Sequence, residues 1–255
     1  MTNVIETETT AGVTTLRFNR PDKKNAITAA MYTALAAALK AADADPAVRV
    51  AVITGAGDAF TAGNDLKDFA ENPPKTADAP VFAFMDTLAS FSKPVVAAVN
   101  GVAVGIGTTL LLHCDAAYAV PSAKFSLPFV NLALVPEFAS SMLLARFVGS
   151  RKATELLMTG AAFDAPAALS MGLLTGVVAP EALLATVAAM TATLAAKPPA
   201  ALRATKALLR SDTAAVKAAI AAEARVFGQR LQSAELQEAV AAFFAKRPPD
   251  FTKFS

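Results

Sequence analysis

The sequence predicts an α/β protein: a core of alternating strands and helices, followed by a C-terminal third that is almost wholly helical. Three observations carry this. Near-continuous apolar runs over 48–53 and 95–99 are the signature of strands buried on both faces. Alanine-rich stretches of helical length separate such runs. After about residue 138 the strand signals fade, and helix patterns with prolines at their starts take over.

Taken in order, 13–18 alternates apolar and polar residues as a strand does, and 3–9 is placed to pair with it as a hairpin. Residues 19–22 form a turn. Thr28 is a suitable cap for a helix running to about Ala44. Residues 48–53 form a buried strand, 55–58 a turn, and 59–66 lead into a short helix. A polar, proline-containing segment from Asn72 to Lys75 reads as a mobile loop. A helix over 80–91, a third core strand over 95–99, a glycine-rich turn over 101–107 and a helix ending near His113 come next. Short strands are expected over 116–120 and 124–127. Helices are expected over 138–148, 150–158, 164–170, 180–195, 198–211, 213–230 and 233–245, with Pro166, Pro180, Pro198 and Pro199 at their starts.

Composition narrows the chemistry. The 255 residues are 55% hydrophobic and 17% charged, enough apolar matter for a large core and too much for a disordered chain. A lone cysteine, Cys114, excludes an internal disulfide and fits a reducing, cytoplasmic setting. With a lone histidine, His113, it cannot complete a four-ligand zinc site, so no metal is expected. A net charge of +2 gives no footprint for nucleic acid. The acidic, polar first twelve residues are unlike a targeting segment. The longest apolar stretch, 94–114, is broken by Asn100, Gly101, Gly105 and Gly107, which suits buried structure and not a membrane span.

Two segments could carry chemistry. In the first, the strand over 95–99 ends in a glycine-rich turn, Asn100-Gly101-Val102-Ala103-Val104-Gly105-Ile106-Gly107, that opens a helix. Free N–H groups at such a start bind phosphate or a developing oxyanion. A dinucleotide fingerprint fits poorly, because Leu110 takes the place of its third glycine. Tight strand–helix packing is the plainer use of these glycines. The second segment, Phe60-Thr61-Ala62-Gly63-Asn64-Asp65-Leu66, also passes from strand to helix, with Asp65 suited to capping. Two such turns make an oxyanion hole with two backbone donors a concrete possibility.

Together these segments resemble the crotonase (enoyl-CoA hydratase/isomerase) superfamily. Asn19-Arg20-Pro21 through Asn25-Ala26, the Phe60–Leu66 segment, and Asn100-Gly101 through Gly105-Ile106-Gly107 to Cys114-Asp115 occur in the family's order. The resemblance implies a crotonase-type spiral of strand–helix units over 1–195 and a helical oligomerisation region over 196–255. It also implies a homotrimer or dimer of trimers, and an acyl-CoA thioester as substrate with no separate cofactor. The thioester oxygen would rest on the N–H groups of Asn64 and Ile106. Coenzyme A would lie near Lys24, Ala26, Ala62, Asp65, Leu66, Gly105 and Pro128, with Lys23 close by.

Hydratases of the family carry glutamates at the positions that here hold Thr109 and Phe129, neither of which ionises at neutral pH. One carboxylate remains nearby, Glu137. Pro136-Glu137 at a helix start is ordinary capping chemistry. Its neighbours Phe129, Leu132, Leu134, Val135 and Phe138 would instead bury the acid and strengthen it as a base. The pattern around it resembles the peroxisomal-type Δ3,Δ2-enoyl-CoA isomerase branch, in which a single glutamate moves the proton. Phe138 stands where that branch usually has glycine, and a narrower acyl pocket is expected there, lined also by Phe82, Met85 and Phe129. A hydratase-like enzyme and a silent acyl-CoA binder are the alternatives. His113-Cys114-Asp115 lists triad-like residues, but sequence neighbours do not face one another, so packing and capping are expected. Asp68 is expected to be a solvated helix residue.

Overall fold

The computed structural model describes residues 3–74 and 78–254, so part of the segment read as a mobile loop, Lys75 included, lies outside the described residues. Strands β1 (Ile5–Thr10) and β2 (Val13–Phe18) form the expected antiparallel hairpin. Thr28 accepts a hydrogen bond from the Met31 N–H and starts α1 (Ala29–Ala44), which buries Met31, Leu35 and Leu39 at helical spacing. Then come β3 (Val50–Gly55), β4 (Ala59–Thr61), α2 (Leu66–Glu71) and α3 (Pro80–Ala89). A second run gives β5 (Val95–Val99), β6 (Val102–Val104) and α4 (Ile106–Thr109), and a third gives β7 (Ala116–Ala119) and β8 (Lys124–Ser126). The remainder is α5 (Ser140–Val148), α6 (Ser150–Thr159), β9 (Phe163–Asp164), α7 (Ala165–Ser170), β10 (Gly176–Val177), α8 (Leu183–Ala195), α9 (Pro199–Leu209), α10 (Thr213–Arg230) and α11 (Ala234–Phe244).

Successive strands alternate between two sheets. One has the order β1-β2-β3-β5-β7-β10, the other β4-β6-β8-β9. Each turn of chain therefore adds one strand to each sheet, β3 then β4, β5 then β6, β7 then β8, and this builds a spiral. Within each sheet these strands run parallel. Every residue of β5 is fully buried, as a strand covered on both faces requires. Of the second sheet only β8 was legible in the sequence, as the short strand expected over 124–127; β4 and β6 are too short to show a period-2 pattern. The same shortness hid β9 and β10 within the region read as all helix.

The helix expected to end near His113 is cut to one turn, α4, followed by a 3-10 turn over Leu110–His113. Residues before it are taken by β6, which pairs with β4 and β8. Beyond residue 195, Lys206 of α9 donates to Asp115 at 2.7 Å and to the Lys93 carbonyl, fastening α9 to the strand layer. Helix α10 packs on α3 and α5. Among the described residues no helix is long and apolar enough to cross a membrane.

Candidate active site

The two strand-to-helix turns are brought side by side. Gly63 has φ +84°, and a Cβ there would lie 2.6 Å from the Val104 carbonyl oxygen. A Cβ on Gly107 would lie 2.6 Å from Thr61 Cγ2. Only glycine permits this approach from both sides. The first turn is framed by the Asn19–Ala26 segment. Asn25 is fully buried; its amide donates to the Ala56 and Ala59 carbonyls and its oxygen accepts the Arg20 N–H. Thr61 donates to the Asn25 carbonyl at 2.7 Å and accepts the Gly63 N–H. Arg20 donates to the Ala26 carbonyl and to Asp65, and the Ala62 N–H donates to the Lys24 carbonyl. Asp65 caps α2 as expected, accepting from the Lys67 and Asp68 N–H groups. Burial alone would raise its pKa, but these donors and Arg20 hold it below the usual range.

Ile27 pairs with Asn64 in an isolated parallel bridge whose hydrogen bonds use the Gly63 carbonyl and the Asp65 N–H, leaving the Asn64 N–H outside the ladder. In the second turn the Gly105 N–H donates to Ser126, and the Gly105 carbonyl accepts from Thr108 and Thr109. Ile106, the first residue of α4, has no acceptor for its N–H within the helix. Among the described residues neither the Asn64 nor the Ile106 N–H has a hydrogen-bond acceptor. Two unspent backbone donors on touching turns suit a developing oxyanion.

Glu137 is 4% exposed. Thr109 Oγ1 donates to its Oε1 at 2.5 Å, and Oε2 has no hydrogen-bond partner among the described residues. Burial pushes its pKa up to about 8; the Thr109 hydrogen bond opposes this, and the nearby Glu223 adds to it. Glu137 does not cap a helix, because α5 starts three residues later. Between them Phe138 and Ala139 hold φ of +60° and +57°, a left-handed pair costing roughly 1–2 kcal/mol per residue. This corrects the expectation for Phe138. A glycine at that position suits the backbone, and the phenyl ring lies in the core, fully buried and stacked on His113 with centroids 3.8 Å apart.

Several residues had no signal in the sequence that would have placed them here. Tyr32 of α1 donates to Asn64 Oδ1 at 2.5 Å and packs on Phe84, which meets Phe138 edge-on. Burial and the charges of Glu137 and Asp68 raise the Tyr32 pKa well above its ordinary value, so it stays a donor. His113 is buried, and burial lowers its pKa to about 3. As a neutral ring its Nε2–H donates to the Phe138 carbonyl at 2.8 Å. Glu223 of α10 accepts from the N–H groups of Ala139 and Ser141 and from the Ser141 hydroxyl. Asp68 is more than a solvated residue: it accepts the Ala29 N–H at 2.7 Å and an Asn72 amide hydrogen, tying α2 to α1.

Two cavities adjoin this region. One of about 900 Å³ is lined by Pro73, Pro74, Phe82 and, from α10, Lys217, Ile220 and Arg225 among others. The other, of about 370 Å³, is lined by Ile27, Tyr32, Asp68, Phe69 and the same two prolines. Phe82 faces the larger one. Met85, Phe129 and Phe138 line neither and are buried in the core. Lys24 is exposed, while Ala26, Ala62, Leu66, Gly105 and Pro128 are partly exposed around the two turns. Among the described residues no group of three or more His, Cys, Asp or Glu side chains is placed to hold a metal ion.

Comparison with known proteins shows which family shares this fold and sequence. The family profile described as "Enoyl-CoA hydratase/isomerase" matches residues 8–253. "Enoyl-CoA delta isomerase 2" of Rattus norvegicus is 38% identical over 244 residues, covering 93% of this chain but 62% of its own length. The chain thus spans less than two thirds of that relative. A "Probable enoyl-CoA hydratase" of Rhizobium meliloti (strain 1021) is 37% identical, covering 98% of this chain and 97% of its own. A crystal structure of an enoyl-CoA hydratase/isomerase from Pseudoalteromonas atlantica T6c superposes with TM-score 0.94 at 40% identity, covering 98% of this chain and 100% of the other. With matching folds, ordered motifs and near full-length similarity, the chain belongs to the enoyl-CoA hydratase/isomerase family of the crotonase superfamily.

Proposed function

We propose that the chain is a Δ3,Δ2-enoyl-CoA isomerase in which Glu137 is the single acid/base group. The observation that supports this reading is the state of that carboxyl: buried, proton affinity raised, one oxygen held by Thr109 and the other unspent. Hydration needs a second acid, and the places for it hold Thr109 and Phe129. The nearby Glu223 has both carboxylate oxygens occupied by three donors.

In the proposed reaction, Glu137 Oε2 takes a proton from C2 of a 3-enoyl-CoA. The C–H electron pair forms a C1–C2 double bond, and the carbonyl pair moves onto the thioester oxygen, which accepts from the Asn64 and Ile106 N–H groups. As the carbonyl re-forms, the C1–C2 pair becomes the C2–C3 double bond. The former C3–C4 pair takes the proton from Glu137 at C4, giving 2-enoyl-CoA. Each backbone donor contributes about 2.7–4 kcal/mol, as oxyanion-hole deletions elsewhere indicate. We propose further that the chain assembles as a trimer or dimer of trimers. Exposed Leu208 (78%) and Leu209 (81%) on α9 and Phe243 and Phe244 on α11 support a contact surface there.

The test is to assay 3-hexenoyl-CoA and crotonyl-CoA side by side, with the parent and with Glu137→Gln. The expected result is isomerisation of the first without hydration of the second, and a loss of about 10³-fold or more in turnover for E137Q. Because the substitution removes a buried charge, E137Q should melt no lower than the parent near pH 9. Hydration of crotonyl-CoA, or near-normal turnover by E137Q, would overturn the reading.

A further inference from the structure

We propose that Glu223, on the C-terminal helix α10, is a positioning residue for Glu137: it holds the turn after Glu137 in its left-handed form and sets a second negative charge behind the carboxyl. This deepens the proposed function and rests on it. The turn is an unusual one to hold. Phe138 and Ala139 are consecutive non-glycine residues with positive φ. Helix α5 starts immediately after them without a side-chain cap of its own. Glu223 supplies the missing acceptors. Its Oε2 takes the Ala139 N–H at 2.6 Å, and its Oε1 takes the Ser141 N–H at 2.9 Å and the Ser141 hydroxyl. Burial raises the pKa of Glu223, and these three donors oppose that shift by favouring its carboxylate form. Glu223 is itself buried, so the charge of its carboxylate form is poorly screened.

The other groups around Glu137 do different work. Thr109 donates to it, and the phenolic Tyr32 stays neutral. His113, neutral in its buried site, faces the Phe138 carbonyl. Burial does most to raise the proton affinity of Glu137, the Thr109 hydrogen bond opposes it, and the negative charge of Glu223 acts in the same direction as burial. A residue 84 positions beyond Ala139 thus reaches back to set the pose and strength of the base.

Two variants separate charge from reach. Glu223→Gln keeps the shape and removes the charge; Glu223→Asp keeps the charge and draws it back. The readout is the titration of Glu137, followed by ¹³C NMR on protein labelled at glutamate carboxyl carbons and assigned by the resonance missing in E137Q. In E223Q the Glu137 titration is expected to move toward acid by about one pH unit. In E223D it moves the same way by less, and this variant decides the matter if E223Q does not fold. A lower melting temperature with the Glu137 titration unmoved means a merely structural cap and overturns the proposal. The readout is not turnover, so it stands apart from the identity of the reaction. Active E137Q would sink the isomerase reading, whereas an unmoved titration sinks only the role of Glu223.

Discussion

The two halves of the candidate site are held in opposite ways. The oxyanion turns are local objects. Thr61, Gly63, Asn64 and Asp65 lie within five residues, Gly105, Ile106 and Gly107 within three, and their donors are backbone groups that any side chain would carry. The Glu137 turn is a long-range object. Its carboxyl is met by Thr109, the next carbonyl by His113 and the following N–H groups by Glu223, from two separate parts of the chain, the 106–113 segment and α10. The difference teaches where tolerance lies. The first half fails when the backbone cannot follow its path, and the second when a remote side chain loses a bond or a charge.

The first half breaks most sharply at Gly63. Gly63→Ala places a Cβ against the Val104 carbonyl and forces an L side chain into a left-handed turn. Turnover of 3-hexenoyl-CoA should fall about 10²–10³-fold while the protein still melts cooperatively, because the Asn64 donor is displaced. Turnover within threefold of the parent would show that the two turns need not touch.

A smaller effect sharpens the second half. Thr109→Val removes the hydroxyl that donates to Glu137 Oε1 while keeping the volume. That bond favours the carboxylate, so its loss raises the Glu137 pKa further. Turnover near neutral pH should drop about tenfold and recover as the pH rises. A pH profile displaced toward acid would contradict the assignment of Thr109 as the donor.

The same contrast explains what could be read in the sequence. Asn25, Gly63, Asp65, Gly105 and Gly107 were legible because each works within a short ordered motif. The strand–helix alternation was legible because β3 and β5 are continuous apolar runs. Glu137 could be singled out as a carboxyl among apolar neighbours, but its partners could not. Thr109 looked like a vacancy left by a missing glutamate, and the structure makes it the donor that holds the remaining one. Tyr32 and Glu223 sit on helix faces whose pattern says only that they turn inward. Phe138 misled most, because its backbone angle and not its bulk is what matters there. Such facts come from tertiary contact, which local pattern does not encode.

The most direct test of Glu137 as the single base is the pH dependence of kcat/KM for 3-hexenoyl-CoA, which reports groups titrating in the free enzyme. Burial raises the Glu137 carboxyl to about 8, so its base form, and with it the rate, should grow as the pH climbs through that value. We expect a single ascending limb centred near there and absent in E137Q. A profile that is flat through this range, or a limb at the ordinary carboxylate pKa of about 4.3, would contradict it.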